Sequence, residues 1–194
     1  MTQLILASSS PYRKQLLDRL KLDFICISPE IDERANLNES PQQLVERLAL
    51  EKAEKIAESH PERWVIGSDQ TASFDGQLIG KPGSIAAAEQ QLGKFGAQTL
   101  CFYTSICLLN LEQKFRHTEI VETKVVFRKL DEQEIRDYVA LDNPIDCAGS
   151  FKAESLGISL FESLESTDPT ALIGLPLISL CRLMREARIS GQKP

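Results

Sequence analysis

Three charged residues stand in apolar or rigid settings, and their types point to chemistry on phosphate. Lys52 shares a helical line with Leu44, Leu48 and Ile56, each four residues from the next, so it falls within an apolar stripe. A lysine so placed snorkels, pairs with a carboxylate or faces a cavity, and the stripe taken alone favours snorkelling. Asp69 closes the run Trp64-Val65-Ile66-Gly67-Ser68-Asp69, which reads as a buried strand ending in polar residues. Ligands of open α/β sheets gather outside strand carboxyl ends, so Asp69 suits a catalytic or metal-binding role; an Asx turn is the alternative. Lys81 is fixed between Gly80 and Pro82 in a turn that is not a P-loop, since GxxxxGK[ST] is absent. The acidic loop 29–33 adds Glu30, Asp32 and Glu33. Neighbours on an extended chain point to opposite sides, so at most one of Asp32 and Glu33 faces a site; a solvated charge run is the other reading.

Near the start, Ser8-Ser9-Ser10-Pro11-Tyr12-Arg13-Lys14 follows the short apolar run Leu4-Ile5-Leu6-Ala7. Pro11 suits the first helical position and Ser10 the N-cap. Free amides, the hydroxyls of Ser8 and Ser10, and Arg13 would converge there on an anion, phosphate above all; an ordinary capped helix is the plainer alternative. A second loop, Cys147-Ala148-Gly149-Ser150-Phe151-Lys152-Ala153-Glu154, mixes small and aromatic residues with charge. Glu154 there either accepts hydrogen bonds from a guanine edge or forms a surface ion pair with Lys152.

A formal net charge of −6 over 194 residues argues against a non-specific nucleic-acid or anionic-membrane binder, which needs a positive surface. A small polyphosphate needs only a local basic pocket. Five scattered cysteines form no CxxC pair, which suits buried free thiols in a reducing compartment. Met1-Thr2-Gln3 lacks a basic leader and the first apolar run stops at four residues, so the expected location is cytoplasmic, with no membrane span. His60 and His117 neighbour no nucleophile, which leaves carboxylates, lysines and arginines, with an oxygen-bound magnesium or manganese ion.

These residues must be held by a small set of elements. Strands are expected at Leu4-Ile5-Leu6-Ala7, Phe24-Ile25-Cys26-Ile27 and Trp64 to Asp69, with two long strands at residues 99–111 and 115–127 joined by a polar turn. Helices are expected after Ser10; at residues 41–59 behind the capping box Ser40-Pro41-Gln42-Gln43; near residues 84–95; at 131–141 capped by Asp131; and after Gly174-Leu175-Pro176. The whole, residues 1–194, reads as one α/β domain with a mixed central sheet flanked by helices.

Taken together the chain resembles the Maf family of nucleotide pyrophosphatases. The matching pieces are Leu6-Ala7-Ser8 with Ser10-Pro11 and Arg13, Asp32-Glu33, Glu51-Lys52-Ala53, Gly67-Ser68-Asp69, Gly80-Lys81-Pro82, Ala148-Gly149 and Gly174-Leu175-Pro176-Leu177. The resemblance implies two lobes with a substrate cleft between them, divalent-metal dependence, hydrolysis of a nucleoside triphosphate between the α and β phosphates, and frequently a homodimer. Within the family the chain is similar to the 7-methyl-GTP pyrophosphatase subgroup. Tyr12, Gln70 and Glu154 stand at the three specificity positions, where the dTTP- and UTP-preferring branch has Arg, Thr and Gln. Tyr12 replaces a more familiar Trp, Lys14 a common Arg, and Ser155 and Ser166 stand where the subgroup often has Gly.

The roles that follow are Asp69 as general base, Glu33 and Asp69 as metal contacts, Ser8, Ser10 and Arg13 as phosphate ligands, and Lys52 and Lys81 as stabilisers of charge on the bridging oxygen and pyrophosphate. A cationic methylated guanine would be drawn to the Tyr12 face, by about 0.5–2 kcal/mol. The competing readings are a dTTP/UTP pyrophosphatase of the same family and a nucleotide-binding regulator without turnover.

Overall fold

The computed structural model describes residues 4–189; Met1-Thr2-Gln3, read above as lacking a leader, lies outside them. Along the described chain run β1 (Leu4–Ala7), α1 (Pro11–Asp18), β2 (Phe24–Ile27), α2 (Pro41–Ala57), β3 (Trp64–Phe74), β4 (Gln77–Ile79), α3 (Ile85–Phe95), β5 (Thr99–Asn110), β6 (Phe115–Phe127), α4 (Glu132–Asp142), β7 (Phe161–Ser166) and α5 (Leu177–Glu186). Hydrogen-bonded strands follow the order β2-β1-β3-β5-β6-β7, with β4 beside β3. β1 pairs parallel with β2 and with β3, so Leu6 stands opposite Cys26 on one side and Ile66 on the other. The pairs β3–β4 and β6–β7 are antiparallel. The sheet is therefore mixed and the class α/β, as the alternation of elements predicts. No helix among the described residues is long and apolar enough to cross a membrane.

Local signals set the helix starts. Ser10 accepts from the Arg13 amide with Pro11 just inside α1. Ser40–Gln43 and Asp131–Glu134 both close full capping boxes, each satisfying two orphan amides. Two strand assignments are corrected. β3 does not end at Asp69 but runs on to Phe74, because Thr71, Ala72 and Ser73 are small enough to continue the ladder. It then turns at Asp75-Gly76, both at positive φ, into β4; this Asp-Gly pair is a two-residue hairpin signal that the sequence reading passed over. β7, Phe-Glu-Ser-Leu-Glu-Ser, has too little apolar content to stand out as a strand and lies at the sheet edge.

The chain forms two compact units: Met1–Gln70 with Thr104–Val121 and Asp168–Pro194, and Thr71–Tyr103 with Glu122–Thr167. In the first, alternation along β1 feeds two cores. Leu4 and Leu6 pack with Leu16, Leu17, Trp64, Ile66 and the inner face of α5. Ile5 and Ala7 pack with Val65 and with Ala49, Ala53 and Ile56 of α2. The second unit is organised by phenylalanines: Phe127 meets Phe95, Phe151 and Phe161 with ring centroids 5.5–5.9 Å apart. The expectation of buried thiols holds for Cys107, which burial pushes up to about 11, but not for Cys26, which is exposed.

One side chain of α2 ties down the acidic loop. The Arg47 guanidinium donates to Glu39 at 2.6 and 2.7 Å and to the Arg34 carbonyl at 3.1 Å. Arg47 holds the Glu39 carboxyl well down, from 4.5 to about 2. A depressed folded-state value means that this contribution to stability is present above pH 4.5 and is lost as pH falls toward about 2. Glu39→Gln is therefore expected to lower stability at neutral pH and to flatten the acid-side loss across that window, read from urea midpoints at a series of pH values.

Candidate functional site

Close approach of α2 to β3 comes first, and Gly67 permits it. A Cβ at Gly67 would stand 2.0 Å from the Ala49 carbonyl oxygen and 3.0 Å from the Ala53 Cβ. With hydrogen there instead, the helix lies against the strand and Lys52 reaches two carboxylates. Its Nζ is 2.6 Å from Asp69 Oδ1 and 2.7 Å from Glu33 Oε1. Lys52 is 4% exposed, so the snorkelling favoured by the stripe alone is overturned: the carboxylates meet its charge before it reaches water. Asp69 is equally buried, in the interior of β3 rather than at its end. Asp32 is held instead by Arg34, with its carboxyl lowered to about 2.

Burial raises the Asp69 carboxyl above its ordinary 3.8, while the charges of Lys52 and Arg13 pull it back and Glu33 pushes it up. Arg13 sits in the same field: burial lowers its guanidinium from the usual value, and Asp69 and Glu33 oppose that. Its Nε donates to the Gly174 carbonyl at 2.8 Å, which leaves the two terminal nitrogens as a fork for an anion. Gly174 lies at φ 118°, in the region that favours glycine, with Arg13 packed where a side chain would go. Before Arg13, Ser8 Oγ accepts the Ser10 amide at 3.1 Å and Ser10 Oγ the Arg13 amide at 3.3 Å; each hydroxyl keeps its own proton as a donor. Tyr12 is half-buried between them in the chain. Lys14 turns to Asp18, 2.9 Å away.

Gln70 is built in by its amide nitrogen, whose two N–H groups are shared among the carbonyls of Ala171 (2.8 Å) and Leu172 (2.9 Å) and Thr104 Oγ1 (3.1 Å). That set of acceptors fixes the flip of the amide, so Oε1 is the end it can offer to a substrate. Ser68, fully buried, donates toward the carbonyls of Ser105 and Gly174. Sequence reasoning gave Thr104 and the 171–174 carbonyls no part here. The signal was present as Thr104-Ser105, two hydroxyls interrupting an apolar strand.

Lys81 and Glu154 belong to the second unit. The turn carrying exposed Lys81 is braced on both flanks: Gln91 Nε2 donates to the Gly80 carbonyl at 3.3 Å, and the Gly83 amide to the Ile145 carbonyl at 2.9 Å. Glu154 rides a tight loop in which the Ser155 and Gly157 amides both donate to the Lys152 carbonyl. A Cβ on Gly157 would stand 2.5 Å from that carbonyl oxygen, so the loop requires glycine there. Lys152 Nζ donates to the Asp142 carbonyl at 2.8 Å rather than serving Glu154. Partial burial raises the Glu154 carboxyl, against its own backbone amide and Lys152.

A family model described as Maf-like protein matches residues 3–187. The chain belongs to the Maf family. Among the similar Maf relatives is a protein of Xanthomonas axonopodis pv. citri named 7-methyl-GTP pyrophosphatase, 50% identical over 187 residues, covering 96% of this chain and 97% of that one. One of Chromohalobacter salexigens with the same name is 49% identical over the same shares. Among solved structures, a dITP/XTP pyrophosphatase of Mycobacterium abscessus has a TM-score of 0.43 at 18% identity, covering 66% of this chain and 76% of that one. A protein of Vibrio cholerae has a TM-score of 0.43 at 14% identity, covering 98% and 100%.

The contact at Gly67 can be tested directly. Gly67→Ala sets a methyl against backbone, and is expected to destabilise the protein by about 1–3 kcal/mol and to reduce turnover by separating Lys52 from Asp69. Urea denaturation and initial rates on the same preparation read both effects.

Proposed function

We propose that this Maf protein hydrolyses 7-methyl-GTP between the α and β phosphates, giving 7-methyl-GMP and pyrophosphate. The observation that carries the reading is the buried Lys52 ammonium held between Asp69 and Glu33, in a chain about half identical to proteins named for that activity. Asp69 takes a proton from the water whose oxygen bonds to the α-phosphorus, as the bond from that phosphorus to the bridging oxygen breaks. Burial makes it a stronger base than a solvated carboxylate, in the direction general-base catalysis near neutral pH requires. Lys52 and Lys81 stabilise the negative charge that collects on the departing pyrophosphate, and Ser8, Ser10 and Arg13 hold non-bridging oxygens.

The donor set also fits a divalent cation. Among the described residues no group of three or more His, Cys, Asp or Glu side chains gathers, but two carboxylates meet one ammonium at Lys52. A magnesium-type ion is held in that manner, by one or two carboxylates together with substrate phosphates, so Glu33 and Asp69 are the residues that would hold it. When bound it would supply positive charge and ease loss of a proton from water.

For the base, the Tyr12 ring offers an electron-rich face to the cationic methylguanine. Glu154 accepts from its N1–H and exocyclic amine, donors that thymine and uracil do not arrange alike. The Gln70 oxygen is a further acceptor.

Two measurements test this. Pyrophosphate release with manganese, compared across 7-methyl-GTP, GTP, dTTP and UTP, is expected to rank 7-methyl-GTP first; Asp69→Asn is expected to lower that rate by about 100-fold or more. Absence of release from every nucleotide, with binding retained, would assign the protein to the non-catalytic regulators instead. Glu154→Gln combined with Tyr12→Arg is expected to reduce kcat/KM for 7-methyl-GTP by about tenfold or more and to raise it for dTTP or UTP; an unchanged ranking removes the proposed base contacts.

A further inference from the structure

Asp168 and Thr170 have no part in the roles above, yet they govern the backbone on which Arg13, Ser68 and Gln70 lean. Asp168 is 1% exposed, and a carboxylate buried so deeply needs donors. Its Oδ2 accepts the amides of Ile178 (2.6 Å) and Ser179 (3.2 Å), and its Oδ1 the amide (3.2 Å) and hydroxyl (2.7 Å) of Thr170. Thr170 Oγ1 in turn accepts the Leu177 amide at 2.8 Å and lies 2.8 Å from the Leu175 carbonyl. The first turn of α5 has Pro176 at its N-cap, with no side-chain bond from that residue. Asp168 and Thr170 supply the missing acceptors from upstream.

The segment 171–176 is thereby clasped at both ends, and the carbonyls of Ala171, Leu172 and Gly174 within it receive side chains of the site. Ala171 O accepts from Thr104 Oγ1 and Gln70 Nε2, Leu172 O from Gln70 Nε2, and Gly174 O from Arg13 Nε and Ser68 Oγ. Displacing Gly174 O would swing the guanidinium of Arg13, which is anchored there through Nε. Displacing Ala171 O and Leu172 O would free the Gln70 amide to rotate.

We infer that Asp168 and Thr170 are positioning residues for the hydrolysis: they clasp the 171–176 backbone and so aim Arg13 at phosphate and the Gln70 oxygen at the base. The inference rests on the phosphate role proposed for Arg13. Neither residue touches substrate, and a residue that merely capped α5 would alter stability without altering what Arg13 contributes.

A double-mutant cycle separates the two. Thr170→Val keeps shape and removes the hydroxyl; Thr170→Ser restores it. With 7-methyl-GTP as substrate, Thr170→Val is expected to raise KM about tenfold and to change kcat by less than about threefold, with Thr170→Ser within about twofold of the parent. In an Arg13→Ala, Gln70→Ala background, where neither side chain aimed by the clasp remains, the same Thr170→Val change is expected to move KM less than about twofold. If the Arg13→Ala, Gln70→Ala pair weakens binding but Thr170→Val still multiplies KM tenfold on top of it, or if Thr170→Val leaves KM unchanged in the parent, the clasp has no positioning role. If Arg13→Ala itself leaves KM unaltered, the phosphate role of Arg13 is wrong and this use of the clasp falls with it. Should Thr170→Val not fold, Thr170→Ala, which leaves room for a water, carries the same cycle.

Discussion

An ammonium buried in an apolar layer is tolerable only while its charge is matched, and the first unit of this protein is arranged around that demand. Lys52 lies on the inward face of α2 with Ala49, Ala53 and Ile56, where an unpaired charge would be strongly destabilising. Asp69 and Glu33 match it from two directions. Each partner has its own support. Asp69 is delivered by β3 across a helix–strand contact that only glycine allows at Gly67. Glu33 comes from an irregular loop made definite by Arg47, which grips Glu39 and the Arg34 carbonyl from the helix that also bears Lys52. Remove either support and the ammonium is left with a single carboxylate partner.

The same burial bears on the chemistry proposed for the site. Taking Asp69 out of water makes its carboxyl hold a proton more firmly, the direction the proposed proton acceptor needs, while Lys52 and Arg13 oppose that shift. Arg13 is treated alike: partly desolvated, sensing Asp69 and Glu33, and held by one edge to a backbone carbonyl. The result is a small region of matched, preorganised charge inside a chain whose net charge is −6. Repulsion between that net charge and a polyphosphate makes such local cations the more necessary.

What the sequence made legible was what depends on near neighbours. Ser10 with Pro11, Ser40 with Gln43 and Asp131 with Glu134 are complete signals within four residues, and each start lies where its signal puts it. That Glu33 joins Lys52 while Asp32 pairs with Arg34 agrees with the expectation that at most one of the two neighbours faces the site. The candidate residues themselves were legible as misfits: a lysine in an apolar stripe, an aspartate after an apolar run. Their partners were not. Whether Lys52 snorkels or pairs is decided by Asp69, 17 positions away, and no periodicity encodes that distance. β3 was cut short because polar Thr and Ser imitate a strand end, although small β-compatible residues extend a ladder equally well. The service of Gly174 to Arg13 spans 161 positions, and an aspartate followed by proline reads only as a turn.

That span has a consequence for how the molecule comes into being. Ser8, Ser10 and Arg13 leave the ribosome well before the carbonyl that holds Arg13, which lies 161 positions further along the chain. Strand β1 likewise waits for Trp64 and then for α5 to cover its Leu4 and Leu6 face. A nascent chain therefore carries a basic, hydroxyl-rich segment with no finished geometry until Gly174 and α5 have followed, and long-range closure of this kind slows folding. A chain that stops short of Gly174 has Ser8, Ser10 and Arg13 and not the contacts that hold them in place.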